Sequence, residues 1–229
     1  MMSEWQAADG ARINYETFGD ADRPATLLML PGLLGSISVQ WRNFIRPLSP
    51  HFRLILMDLR GHGRSTNPGS ALEPEQMAQD ILGLLDHLSV QTCHIAGYDF
   101  GGYLGLLLTF NASRRVETLL MHGSKFYWTK EAAASVRSQL DPNHLAEKAP
   151  AYADSLVKEH GARNWRELLR QAGDLTAGLV TKGIKERNLT NLSTPVLVSV
   201  GDRDELVPVI EAHRLSHILP KGELIVLPG

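Results

Sequence analysis

The chain has 229 residues, 43% of them hydrophobic, with 23 basic against 25 acidic side chains and a net charge of −2. That is enough chain to bury a core without staples. The near balance of charge argues against nucleic acid and against an anionic membrane surface as partners. Cys93 is the single cysteine, so no internal disulfide forms. The lone thiol, and a start that lacks a charged leader with an apolar run behind it, set the expectation of a cytoplasmic location. No apolar stretch approaches the roughly 20 residues that a membrane helix needs.

In chain order, EWQAADGARINYETFGD reads as a hairpin turning at Asp9-Gly10. Short apolar runs follow as buried strands: ATLLML (25–30), RLILMD (53–58), CHIAG (93–97), ETLLMH (117–122), PVLVSVG (195–201) and ELIVL (223–227). Between them, residues 73–88 place Met77, Ile81, Leu84, Leu85 and Leu88 on one helical face. A second helix follows Gly101. Strands alternating with helices predict an α/β fold with a mostly parallel sheet covered on both faces. Residues 124–190 break the rhythm. They carry no strand pattern, and helical spacing recurs at KEAAASVRSQL and NWRELLRQAG. This segment is expected to form a helical cap over the carboxyl edge of the sheet, where open α/β sheets bind ligands. The expected division is therefore a core of residues 1–123 and 191–229 and a cap of 124–190.

The junction after the third parallel strand reads Gly97-Tyr98-Asp99-Phe100-Gly101. This is the G-x-S-x-G elbow with aspartate in place of serine. Asp tolerates positive φ better than most residues. The N–H groups of the following helix favour an anion there, so an ionised Asp99 is expected.

Four motifs in order, LPGLLGS (30–36), DLRGHGRS (58–65), AGYDFGGYLG (96–105) and VSVGDRDELVP (198–208), resemble those of the α/β-hydrolase superfamily over essentially the whole chain. The resemblance implies an α/β-hydrolase fold acting on a small-molecule substrate, without cofactor or metal. It implies an active-site position for Asp99, an acid partner at Asp204 in preference to Asp202, and oxyanion donors in the backbone N–H groups of Leu33 and Phe100. The sequence departs from the family at two points. Pro31 stands where the oxyanion loop usually has histidine. The general-base histidine and final helix that follow the last strand in the family have no counterpart after ELIVLPG. Of the nine histidines, only His122, at a strand end beside the elbow, is placed to approach Asp99.

Three readings follow. The first is a hydrolase of small apolar esters whose serine is replaced by Asp99 and whose base is missing, impaired as written. The second is an Asp-nucleophile hydrolase of the haloalkane dehalogenase or epoxide hydrolase type, in shortened form. Phe100 stands where that subgroup carries tryptophan, and Tyr127 and Tyr152 are its candidate proton donors. The third is a binding protein on a hydrolase scaffold. An uncovered final strand further predicts self-association through Leu224, Val226 and their neighbours.

Overall fold

The computed structural model describes residues 2–229. Eight strands form one sheet: β1 (Met2–Gln6), β2 (Arg12–Phe18), β3 (Thr26–Leu30), β4 (Arg53–Met57), β5 (Cys93–Tyr98), β6 (Val116–His122), β7 (Val196–Gly201) and β8 (Gly222–Leu227). Their spatial order is β1-β2-β4-β3-β5-β6-β7-β8. The hairpin turns at Asp9-Gly10 as expected, and β2 pairs antiparallel with β4. Every other pairing is parallel. Each apolar run of the sequence is a strand because its residues have a hydrophobic layer on at least one face.

The two faces are covered unequally. One face packs under α2 (Pro74–His87), α3 (Phe100–Asn111) and α8 (Val209–Ile218), with Ile55, Met57, Ile95, Leu119, Met121, Val198 and Val200 in that layer. On the other face α1 (Arg42–Leu48) covers only the β3–β4 region, through Trp41, Ile45 and Leu48 on Met29, Leu54 and Leu56. Beyond α1 that face is an open groove of about 1120 Å3, running from Trp41 and Phe44 past Leu120 and His122 to Leu227. Helices therefore lie on both faces, as expected, more densely on one than on the other.

On β8, Ile225 is 44%, Val226 38% and Leu227 45% exposed. An edge strand that is apolar and flat invites pairing. We expect the purified chain to associate in light scattering, and Ile225→Lys with Leu227→Lys to shift it toward monomer. A well-behaved monomer at high concentration would contradict this.

Between β6 and β7 lie four helices: α4 (Lys130–Gln139), α5 (Pro142–Lys148), α6 (Pro150–His160) and α7 (Trp165–Lys182). Leu145, Ala153, Leu156, Trp165 and Leu169 give them a small core of their own. Leu168, Leu175 and Leu179 tie α7 to the main core. No helix among the described residues is long and apolar enough to cross a membrane.

Candidate active site

Asp99 is the single residue between the end of β5 and the start of α3. Its backbone has φ 49° and ψ −119°. A non-glycine residue at positive φ stores roughly 1–3 kcal/mol of strain, held by its surroundings. Here the hold is dense. The Asp99 N–H donates to the His122 carbonyl at 2.8 Å, and its own carbonyl accepts from Gly102. A methyl group on Gly101 would strike the Leu30 and Pro31 carbonyls, and one on Gly32 would lie 2.9 Å from Asp99 Cβ and Oδ2. Those two glycines let the elbow and the 31–35 loop touch.

That contact places the carboxylate. The Leu33 N–H donates to Asp99 Oδ2 at 2.9 Å, and the neighbouring Phe100 N–H adds to the field that favours the charged carboxylate. The Leu33 N–H, one of the two backbone donors expected from the sequence, thus rests on Asp99 itself. Water exclusion outweighs these bonds and pushes the Asp99 pKa up to about 6, with the Asp204 charge adding to the rise. Burial disfavours the charged form more than the N–H groups favour it, so the pKa rises while the carboxyl stays mostly ionised at neutral pH.

A sign follows for stability. The folded chain binds this proton more tightly than the unfolded chain, whose ordinary value is 3.8. Stability therefore falls as pH rises from about 4 to about 6, and the cost stays constant above that. Asp99→Asn keeps an oxygen for the Leu33 N–H and carries no charge. It is expected to be more stable than the parent by roughly 3 kcal/mol at pH 8, with the gap closing below pH 4. Denaturant titrations at the two pH values check this, and an equal gap at both would contradict it.

Asp204, in the loop after β7, accepts N–H bonds from Leu206 (3.0 Å) and Val207 (2.8 Å) through Oδ1. Its Oδ2 lies beside Gly123. Asp202 instead accepts the Gly229 N–H at 3.0 Å and is exposed. His122 does not serve as a base for Asp99. Side chains alternate across a strand, and His122 shares the parity of exposed Leu120. Its ring stacks on Tyr98 on the open face, with Nδ1 3.1 Å from Ser199 Oγ. Only its backbone carbonyl meets Asp99.

The carboxylate looks into a cavity of about 620 Å3 between the sheet edge and the inserted helices. Leu33, Leu34, Phe100, Val136, Leu140 and Leu206 make it largely apolar, and Lys125, Trp128 and Tyr152 bring polar atoms to its wall. The Lys125 ammonium is spoken for by Glu211 (2.8 Å) and the Leu206 carbonyl (2.8 Å). The Trp128 indole N–H is buried with no acceptor among the described residues. Burial raises the Tyr152 pKa, and the charges of Asp99 and Tyr98 raise it further. Tyr127 lies elsewhere, bonded to Glu186 at 2.8 Å under the Arg214 guanidinium. Sequence reasoning missed Lys125 and Trp128, which follow β6 with no motif to mark them.

The comparisons with known proteins come down on the same architecture. Residues 25–152 match the family profile described as alpha/beta hydrolase fold. A putative carbamate hydrolase RutD from Agrobacterium fabrum is 28% identical, the match covering 94% of this chain and 89% of that one. The 3-oxoadipate enol-lactonase 2 of Acinetobacter baylyi is 31% identical over 96% of this chain and 86% of its own. Among solved structures, an alpha/beta hydrolase from a deep-sea metagenome superposes with a TM-score of 0.83 at 18% identity, covering 99% of this chain and 89% of that one. The enol-lactonase of Burkholderia xenovorans gives 0.81 at 18% identity over 98% and 91%.

Proposed function

The chain belongs to the alpha/beta hydrolase family, and from that premise we propose that it carries the site of a small-ester hydrolase in which Asp99 stands in place of the serine and closes the oxyanion hole. The helices of residues 124–190 act as the cap that shapes the cavity for a small, mostly apolar substrate. The observation that carries the reading is the Leu33 N–H resting on Asp99 Oδ2 at 2.9 Å. Those donors would otherwise receive the oxygen of a tetrahedral acyl intermediate. The relatives named for carbamate and enol-lactone hydrolysis support acyl chemistry as the ancestral reaction. With the Leu33 N–H resting on Asp99 and no histidine ring hydrogen-bonded to it among the described residues, this site does not turn over acyl esters.

A second reading has its own observation. With Oδ2 parked on the Leu33 N–H, Oδ1 is the oxygen offered for attack. An ionised carboxylate displaces a leaving group at saturated carbon without a base. The new C–O bond forms to Oδ1 as the carbon–halogen bond breaks, and the halide leaves with the electron pair. Trp128 supplies the indole N–H that Phe100 lacks, and a buried donor without an acceptor is the kind of group an incoming anion satisfies.

A paired assay tests both readings: release of p-nitrophenol from a short-chain ester, and intact mass after exposure to a small haloalkane. The expected result is no acyl turnover. Sustained ester hydrolysis abolished by Asp99→Ala would overturn the first reading.

A further inference from the structure

We propose that His160, at the end of α6, is a positioning residue that clamps the turn carrying the Leu33 N–H against Asp99, with Glu159 beside it as the second jaw. The proposal deepens the reading above and rests on Leu33 and Asp99 being the acting pair of the site.

The turn needs a clamp. Residues 32–35 close on a Gly35 N–H to Gly32 carbonyl bond of 2.9 Å. Leu34, inside that turn, has φ 63°. A branched apolar residue gains nothing locally at positive φ, so the conformation persists only where neighbours over-determine it. From below, Gln40 Oε1 accepts the Gly32 N–H at 2.8 Å and Asp58 Oδ1 accepts the Ile37 N–H at 2.8 Å. From above, everything comes from the last two residues of α6. His160 Nδ1 accepts the Gly63 N–H at 2.8 Å. Its Nε2 therefore carries the proton, and it donates to the Leu34 carbonyl at 3.0 Å. Glu159 Oε2 accepts from Ser36 Oγ at 2.6 Å and Ser38 Oγ at 2.8 Å.

One imidazole thus joins three segments far apart in sequence: the inserted helix, the 58–65 turn and the oxyanion turn. It is 3% exposed. The neutral ring is the form this geometry requires, because both of its nitrogens are engaged, one as acceptor and one as donor. Burial pulls the His160 pKa down and holds that form. The charged or titratable groups around it are Glu159, Asp58 and the edge of the His62 ring at 5.9 Å. Gly161, at φ 85°, lets the chain leave α6 at once, so that the helix ends on the turn instead of running past it.

Two readouts on the intact chain test this without requiring any reaction: the 13C titration of the Asp99 carboxyl, and hydrogen exchange at the Leu33 amide. His160→Phe keeps a ring but no hydrogen bond. It is expected to raise the Asp99 pKa by about one pH unit, the size expected for losing one charge-assisted bond, and to speed Leu33 exchange about tenfold. His160→Gln, which retains an acceptor and a donor, is expected to restore both. Glu159→Gln, a change near the surface, is expected to move both in the same direction by less, and it stands in should His160→Phe fail to fold. Strand amides of β1 serve as the control for general loosening. An unchanged Asp99 titration and unchanged Leu33 exchange in folded His160→Phe or Glu159→Gln would overturn the proposal. An Asp99 that never reacts with any electrophile would sink the catalytic reading and leave these two results standing.

Discussion

Incubated with a small primary haloalkane, the purified chain is expected to gain the mass of one alkyl group, on Asp99, and then to stop. Attack needs an ionised carboxylate, and with a pKa of about 6 Asp99 is mostly ionised at pH 7.5. It also needs an oriented oxygen, and the Leu33 N–H fixes the carboxylate by its other oxygen. Burial strips water from the nucleophile, and a desolvated carboxylate is the more reactive one. Release is another matter. Hydrolysis of the alkyl ester needs a base to activate water, and the imidazole at the end of the neighbouring strand, His122, faces the open side of the sheet. Mass spectrometry should therefore show a plateau at one group per chain, absent in Asp99→Ala, with an onset that follows ionisation near pH 6. Halide release over many equivalents would contradict the plateau and require a base in the mechanism.

Acyl esters are expected to fail at the first step, by a large factor. Enzymes stripped of their triad retain about 10³–10⁴ over water from the oxyanion hole and binding alone. Here the hole is occupied as well, and loss of a single donor costs about 10²–10³. The residual rate with p-nitrophenyl butyrate should then lie within roughly tenfold of the uncatalysed one. Asp99→Gly provides the contrast. Glycine adopts φ 49° without strain, and its lack of a side chain empties the hole. That variant is expected to exceed the parent by about 10²-fold. Initial rates decide it. A parent faster than Asp99→Gly would show that the carboxylate helps acyl chemistry and does not block it.

The sheet was legible because every strand is an apolar run between turn signals, and the elbow because Gly97 and Gly101 bracket Asp99 at the spacing a tight strand-to-helix turn demands. The helix at Arg42–Leu48 was not. It contains Pro47, which reads as a helix breaker, and none of its own residues is fully buried, although Trp41, Phe44, Ile45 and Leu48 recur at helical spacing. The inserted helices α5 and α6 were also unmarked by periodicity, although each begins with proline at its first turn, and Asp141 caps α5 by accepting the Asn143 and His144 N–H groups. That start signal was available in the sequence. The occupancy of the oxyanion hole was not available. Leu33 and Phe100 were the expected donors, but which acceptor such donors meet depends on side-chain reach within a turn built by three separate segments. His160 was invisible for the same reason, since its partners lie 97 and 126 residues away. A helix terminus can be read from sequence, whereas the burial that raises the Asp99 pKa to about 6 cannot.

The central claim is that the Asp99 carboxylate sits on the oxyanion donors, and amide proton shifts report it directly. In a 15N-edited NMR titration from pH 4 to pH 8, the Leu33 and Phe100 amide protons are expected to move together with an apparent pKa of about 6. Both movements should vanish in Asp99→Asn. Leu33 and Phe100 amides that stay flat across this range in the parent, or that titrate equally in Asp99→Asn, would contradict the account.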